Sequence, residues 1–148
     1  MEMKELITRW VSWLKSATTS DEEHPLLEHV HTDGKQMWAS DGYRLHALEV
    51  ATAKRGRVTL NEDGLFQVEE TDRLLPFADL LPDEKPVLSL VIDAELLRQA
   101  VAEQEGMVQI NLYGSNKAVE LSSAGKYALV MPVTKVGNWL FWRPQGKE

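Results

Sequence analysis

Cysteine is absent from this 148-residue chain. Its absence excludes disulfides, thiolate nucleophiles and cysteine-based zinc sites, and makes a reducing cytoplasm the expected setting. No apolar run approaches the roughly 20 residues of a membrane span. The opening Met1-Glu2-Met3-Lys4-Glu5 is not followed by the apolar stretch of a secretory leader. Positive charge is in deficit: 16 Lys and Arg stand against 23 Asp and Glu, a net charge of −7. The molecule as a whole therefore repels polyphosphate, and DNA contact has to come from a local basic stripe.

Catalytic patterns are missing too. There is no glycine-rich phosphate loop and no Gly-x-Ser-x-Gly elbow, and Gly125-Lys126 stands without the rest of a Walker motif. Carboxylates cluster at Asp21-Glu22-Glu23, Glu69-Glu70 and Asp83-Glu84, in loops or at element ends where solvated acid is ordinary, and none of them singles out an acid–base pair. His29 and His31 fall on one face of an expected strand near Asp33. Neither they nor His24 and His46 are joined by a cysteine or a His-x-x-x-His helix. The sequence thus names no catalytic residue, metal ligand, cofactor or small-molecule substrate, and points to binding in preference to catalysis.

What is present suits one hydrophobic core: 43% hydrophobic residues and five tryptophans, Trp10, Trp13, Trp38, Trp139 and Trp142, each needing a core or an interface to cover it. Leu6, Ile7, Trp10, Val11, Trp13 and Leu14 recur at helical spacing. Strands follow at 27–31, 36–39 and 44–50, separated by Asp33-Gly34 and Asp41-Gly42, whose Asp-Gly pairs suit two-residue type I′ turns. Asp63-Gly64 predicts a third hairpin between 57–60 and 65–68. Residues 71–86, with Pro76, Pro82 and Pro86, read as a connector holding one helical turn. Residues 87–92 read as a strand buried on both faces. Asp93 is the expected N-cap of a helix over 94–105, stopped by Gly106. Strands at 108–112, around Val119 and Leu121, and at 127–133 complete the order. The pattern, helix then three strands, occurs twice: an α+β fold with two helices against antiparallel sheets.

Three stretches carry a family resemblance. Trp38-Ala39-Ser40-Asp41-Gly42-Tyr43-Arg44-Leu45 resembles the Ala-Thr-Asp-Gly-His-Arg-Leu signature of the bacterial DNA polymerase III sliding clamp (β subunit), with Tyr43 where that family has histidine. Tyr127-Ala128-Leu129-Val130-Met131-Pro132-Val133 resembles its Tyr-Val-Val-Met-Pro-Met strand, and Ile92-Asp93-Ala94-Glu95-Leu96-Leu97 is similar to its strand-to-helix turns. The resemblance implies a DNA-clamp domain over residues 1–133, with 54–86 partly an insertion and 134–148 an aromatic tail. It implies a non-enzymatic replication or repair factor that tethers partners or confers processivity as an oligomer. The alternative is a stand-alone interaction or structural module that kept the fold without DNA.

By the same resemblance, a pocket for partner peptides draws on Ser40, Gly42, Tyr43, Arg44, Leu45, Val130, Met131, Pro132 and Val133. In the family the two sets come from neighbouring domains, which here implies a head-to-tail contact between copies. Helix positions facing DNA are Lys4, Arg9, Lys15 and Arg98, although Glu95, Glu103 and Glu105 surround the last, and the densest basic run, Lys54, Arg55 and Arg57, falls in an expected loop. The tail residues Asn138, Trp139, Leu140, Phe141 and Trp142 loosely resemble a clamp-binding peptide, which would fill such a groove on this domain or a neighbour's. The plainer expectation, and the preferred one, is that these tryptophans cover the domain's own core.

Overall fold

The computed structural model describes residues 3–134 and 141–144. The chain divides into two compact units, Met1–Pro82 with Trp142–Glu148, and Asp83–Phe141. Each unit is α+β: one helix with an antiparallel sheet.

In the first unit the helix α1 (Met3–Lys15) precedes β1 (Val30–Thr32), β2 (Gln36–Ser40), β3 (Leu45–Glu49), β4 (Gly56–Leu60) and β5 (Phe66–Glu70). The sheet order is β3-β2-β1-β4-β5, so β1 lies in the middle, and each neighbouring pair is antiparallel. Residues 56–70 therefore extend the sheet past β1 as a hairpin. Strand alternation sends Val30, Met37, Ala39 and Val58 to one face, where they bury against Val11 and Leu14 of α1 and Ala17 just beyond it. Leu48, Val50, Leu60, Phe66 and Val68 pack around this core.

The opposite face is aromatic. Trp38 is 2% exposed and lies between His31 and Phe77, with ring centroids 5.9 and 4.6 Å away. Its Nε1–H donates to the Leu75 carbonyl at 3.1 Å, which ties the connector after β5 onto the sheet. The helical turn expected in that connector is a 3-10 turn, Ala78–Leu80.

Two sequence expectations are corrected here. Residues 27–31 do not form one strand: Pro25–Glu28 winds as a 3-10 turn, and only Val30 onward joins the sheet. Proline's fixed φ at the first position starts that turn, and Leu27 N–H bonds back to the His24 carbonyl at 3.0 Å. The hairpin turns are not type I′, because no residue other than glycine has positive φ among the described residues. The aspartate carboxylate itself makes the turn. Asp33 Oδ1 accepts from Lys35 N and Gln36 N, and Asp41 Oδ1 accepts from Tyr43 N and Arg44 N. Such Asx turns need a longer loop, with positive φ confined to Gly34 (99°) and Gly42 (92°). In the third hairpin Asn61, not Asp63, plays this part, accepting from Asp63 N and Leu65 N.

In the second unit α2 (Ala94–Val101) precedes β6 (Gln109–Leu112), β7 (Val119–Ser123) and β8 (Lys126–Val130), in the sheet order β6-β7-β8. Asp93 caps α2 as its position implies, accepting from Glu95 N and Leu96 N. The helix is shorter than expected and ends at Val101. Val119, Leu121 and Val130 are buried, with Leu90, Ile92, Ala100 and Val108 packed against them. Residues 87–92 are not a strand: Val87 is fully exposed, and Leu90 and Ile92 reach the core from an extended segment. The final strand stops at Val130 because Pro132 has no N–H to continue the ladder.

Candidate interaction surfaces

The Asp-Gly signature forms the β2–β3 turn. Ser40 is buried at the end of β2, and its Oγ accepts from Gly42 N at 3.1 Å. Leu45 pairs with Ser40 across the hairpin, and Tyr43 is 98% exposed at the tip. Arg44 turns back onto its own unit: its Nε donates to Asp41 Oδ2 at 3.2 Å, and a terminal nitrogen donates to the Ser16 carbonyl. His46 does the same one turn earlier. It donates from Nδ1 to the Trp13 carbonyl at 2.8 Å and stacks on the Trp13 ring, with centroids 4.2 Å apart and planes 12° from parallel. The carbonyls of Trp13 and Ser16, at and just past the C-terminal end of α1, are thus engaged from β3 and the turn before it. The Tyr43 N–H, then the other contacts of the turn, hold the Asp41 carboxyl below its ordinary range.

The second motif belongs to the second unit. Val130 and Pro132 are buried, Met131 is 60% exposed, and Val133 N–H donates to the Val91 carbonyl at 2.7 Å. The expected peptide-pocket residues therefore form two local groups, one per unit. In the tail, Asn138, Trp139 and Leu140 lie outside the described residues, while Phe141 and Trp142 are exposed.

The helix positions expected to face DNA are unevenly placed. Arg9 and Lys15 are exposed on α1; the side chain of Lys4 lies outside what is described. Arg98 on α2 donates to Glu95 and forms an ion pair with it. Arg98 consequently lowers the Glu95 carboxyl below its usual range.

Two features escaped the sequence reading. One is the outer face of β6–β8. Glu120 there accepts from the hydroxyls of Tyr113 and Tyr127 and from Asn111 Nδ2. The Tyr113 bond, then that of Tyr127, lowers the Glu120 carboxyl, and the same carboxylate raises both phenols. The signal was the polar alternation of Asn111, Tyr113 and Glu120 opposite the apolar set. The other is the burial of His31, weighed in the sequence only as a metal-ligand candidate and fully buried in the middle strand. Its Nε2–H donates to the Leu26 carbonyl at 2.8 Å, and its Nδ1 has no hydrogen-bond partner. Burial pulls its pKa below 6.5 and keeps the ring neutral. His29 meets it edge-on at 6.4 Å. Among the described residues no three His, Asp or Glu side chains converge on a common point as metal ligands. No described helix is long and apolar enough to cross a membrane.

No family model matches this chain, and neither does any curated protein or solved structure.

Proposed function

We propose that this chain is a non-enzymatic domain of DNA-clamp type that serves replication or repair by tethering partner proteins as an oligomer. The observation that supports the reading is the repeated plan: α1 leads into the antiparallel β1–β3 meander, and α2 leads into the antiparallel β6–β8 meander. A duplicated helix-plus-meander is the plan of one clamp domain, and the stretches that carry the resemblance fall one in each unit: Ser40 to Leu45 in the β2–β3 turn, and Val130 to Val133 at and just past the end of β8. Light scattering on the purified chain tests it. A closed, ring-sized oligomer with salt-sensitive affinity for duplex DNA is the expected result. A monomer at every concentration sinks it.

A second reading, a stand-alone interaction module without DNA, is favoured by two specific observations. Arg98, the basic residue of α2, is engaged by Glu95, and the chain carries a net charge of −7. That reading expects a monomer or dimer with no duplex affinity at low salt.

A further inference from the structure

The β6–β8 sheet buries Val119, Leu121 and Val130 on one face. Strand alternation places Asn111, Glu120, Tyr127 and Leu129 on the other, and Asn111, Glu120 and Leu129 are direct neighbours across the three strands. Glu120 is the single charged side chain that the strands present there. It stands on the central strand, so hydrogen-bonded ladders on both sides fix its place. Its Oε2 accepts from the Tyr127 hydroxyl at 2.6 Å. Its Oε1 accepts from the Tyr113 hydroxyl, just past β6, and from Asn111 Nδ2 at 3.4 Å. A carboxylate oxygen accepts about two hydrogen bonds. Oε1 is thus filled, and Oε2 keeps an acceptor site open.

No cation answers this charge: Glu120 has no ion pair among the described residues. Lys126, beside Tyr127 in the chain, is turned onto the Glu103 carbonyl. Lys117, in the β6–β7 loop, lies against Gly114. The hydrogen bonds keep Glu120 ionised and both phenols protonated at neutral pH. A phenol that donates to a carboxylate carries more electron density on its ring, so the ring face attracts a cation more strongly. Both rings stand in water, Tyr113 at 64% and Tyr127 at 62% exposure, and Leu129 is 53% exposed beside Glu120. The hydrogen bonds already hold these groups in place, which spares a ligand the cost of ordering its site.

We propose that this face binds an arginine side chain of a partner protein, its guanidinium donating to Glu120 Oε2 and lying against the phenol rings, its methylenes resting on Leu129. The uncompensated carboxylate calls for a cation. The rings call for a planar, weakly hydrated one that can stack, which favours guanidinium over ammonium. The exposed leucine beside the charge calls for an apolar stem, which an inorganic cation lacks. The chain's net charge of −7 draws basic partners toward it. None of these residues belongs to the peptide pocket that the clamp resemblance implies, and the inference needs neither a ring nor DNA. Solution mass decides the clamp reading, and arginine binding decides this one.

The test is an amide-resolved NMR titration of the full chain with acetyl-Gly-Arg-Gly-amide. The control is the same peptide with citrulline for arginine, which keeps the shape and removes the charge. The expected result is saturable shifts centred on Asn111, Tyr113, Glu120, Tyr127 and Leu129, with affinity about fivefold or more weaker for the citrulline peptide. Glu120→Gln and Tyr127→Leu are each expected to weaken binding by a similar factor; Tyr113→Leu, outside the strands, serves if either perturbs folding. Five results overturn the proposal: no saturation up to the solubility limit of the peptide, equal binding of the citrulline peptide, undiminished binding to the variants, tighter binding of neutral maltose at the same residues, or the same shifts on concentrating the chain alone.

Discussion

His31 and Trp38 are direct cross-strand partners in β1 and β2, and their rings stack at 5.9 Å on the face of the sheet away from α1. With Phe77 on the far side of the indole, the three rings bind the connector to the centre of the sheet. The imidazole sits in this stack with one nitrogen satisfied by Leu26 and the other bare. Arg57, its cross-strand partner in β4, lies on the same side. A proton on Nδ1 would be a buried charge without an acceptor, next to a guanidinium.

Stability should therefore depend on pH through His31. Its folded pKa lies below the unfolded value of 6.5, chiefly through burial. The unfolded state then binds the proton more readily, so the neutral ring's contribution is complete above pH 6.5 and is lost as pH falls from there toward the folded pKa. Urea unfolding midpoints should drop between pH 7 and pH 5 (the titration range of His), and His31→Gln should flatten that slope. An unchanged slope in the variant would place the titration elsewhere.

Gly56 and Gly42 should respond differently to alanine. A Cβ on Gly56 would meet the Glu69 carbonyl oxygen at 1.9 Å, and this neighbour is backbone of the paired strand β5, which cannot step aside. Gly56→Ala should cost about 1–3 kcal/mol or more and open the β4–β5 hairpin to hydrogen exchange. At Gly42 a Cβ has open space, and only the φ of 92° resists. Gly42→Ala should cost about 1–2 kcal/mol without loosening the strands.

Arg44→Ala should lower the thermal stability of the free protein by about 1 kcal/mol, because the guanidinium caps the Ser16 carbonyl at the end of α1. His46→Ala should act similarly through the Trp13 carbonyl and the stacked Trp13 ring. A role confined to a partner pocket would leave the melting temperature of free protein untouched, so calorimetry without any partner separates the two.

Leu14→Ala and Leu121→Ala each empty a fully buried site, one per unit. Each should cost about 2–5 kcal/mol. Residue-resolved hydrogen exchange should show Leu14→Ala weakening protection in β1, β2 and β4, and Leu121→Ala weakening it in β6–β8. Substitution of exposed Leu97 by alanine is the control and should change little.

Much of the local structure follows from residue order alone. The spacing of Leu6 through Leu14 makes a helix, Asp93 caps the next one, and alternation around Val119 and Leu121 makes a half-buried strand, because these signals act within a few residues of chain. The Asp-Gly pairs located two hairpins correctly yet misstated their chemistry, since a carboxylate that reaches two amides on its own strand outcompetes a tighter turn. Residues 87–92 look like a strand by composition; pairing needs a partner edge, and that is a property of the folded sheet. Only three dimensions could reveal that Arg44 and His46 close the end of α1 from 28 and 33 residues away. The same holds for His31, buried in the middle strand between β2 and β4. Those features depend on which segments meet, and long-range packing decides that, whereas periodicity and capping are complete within a single turn or strand.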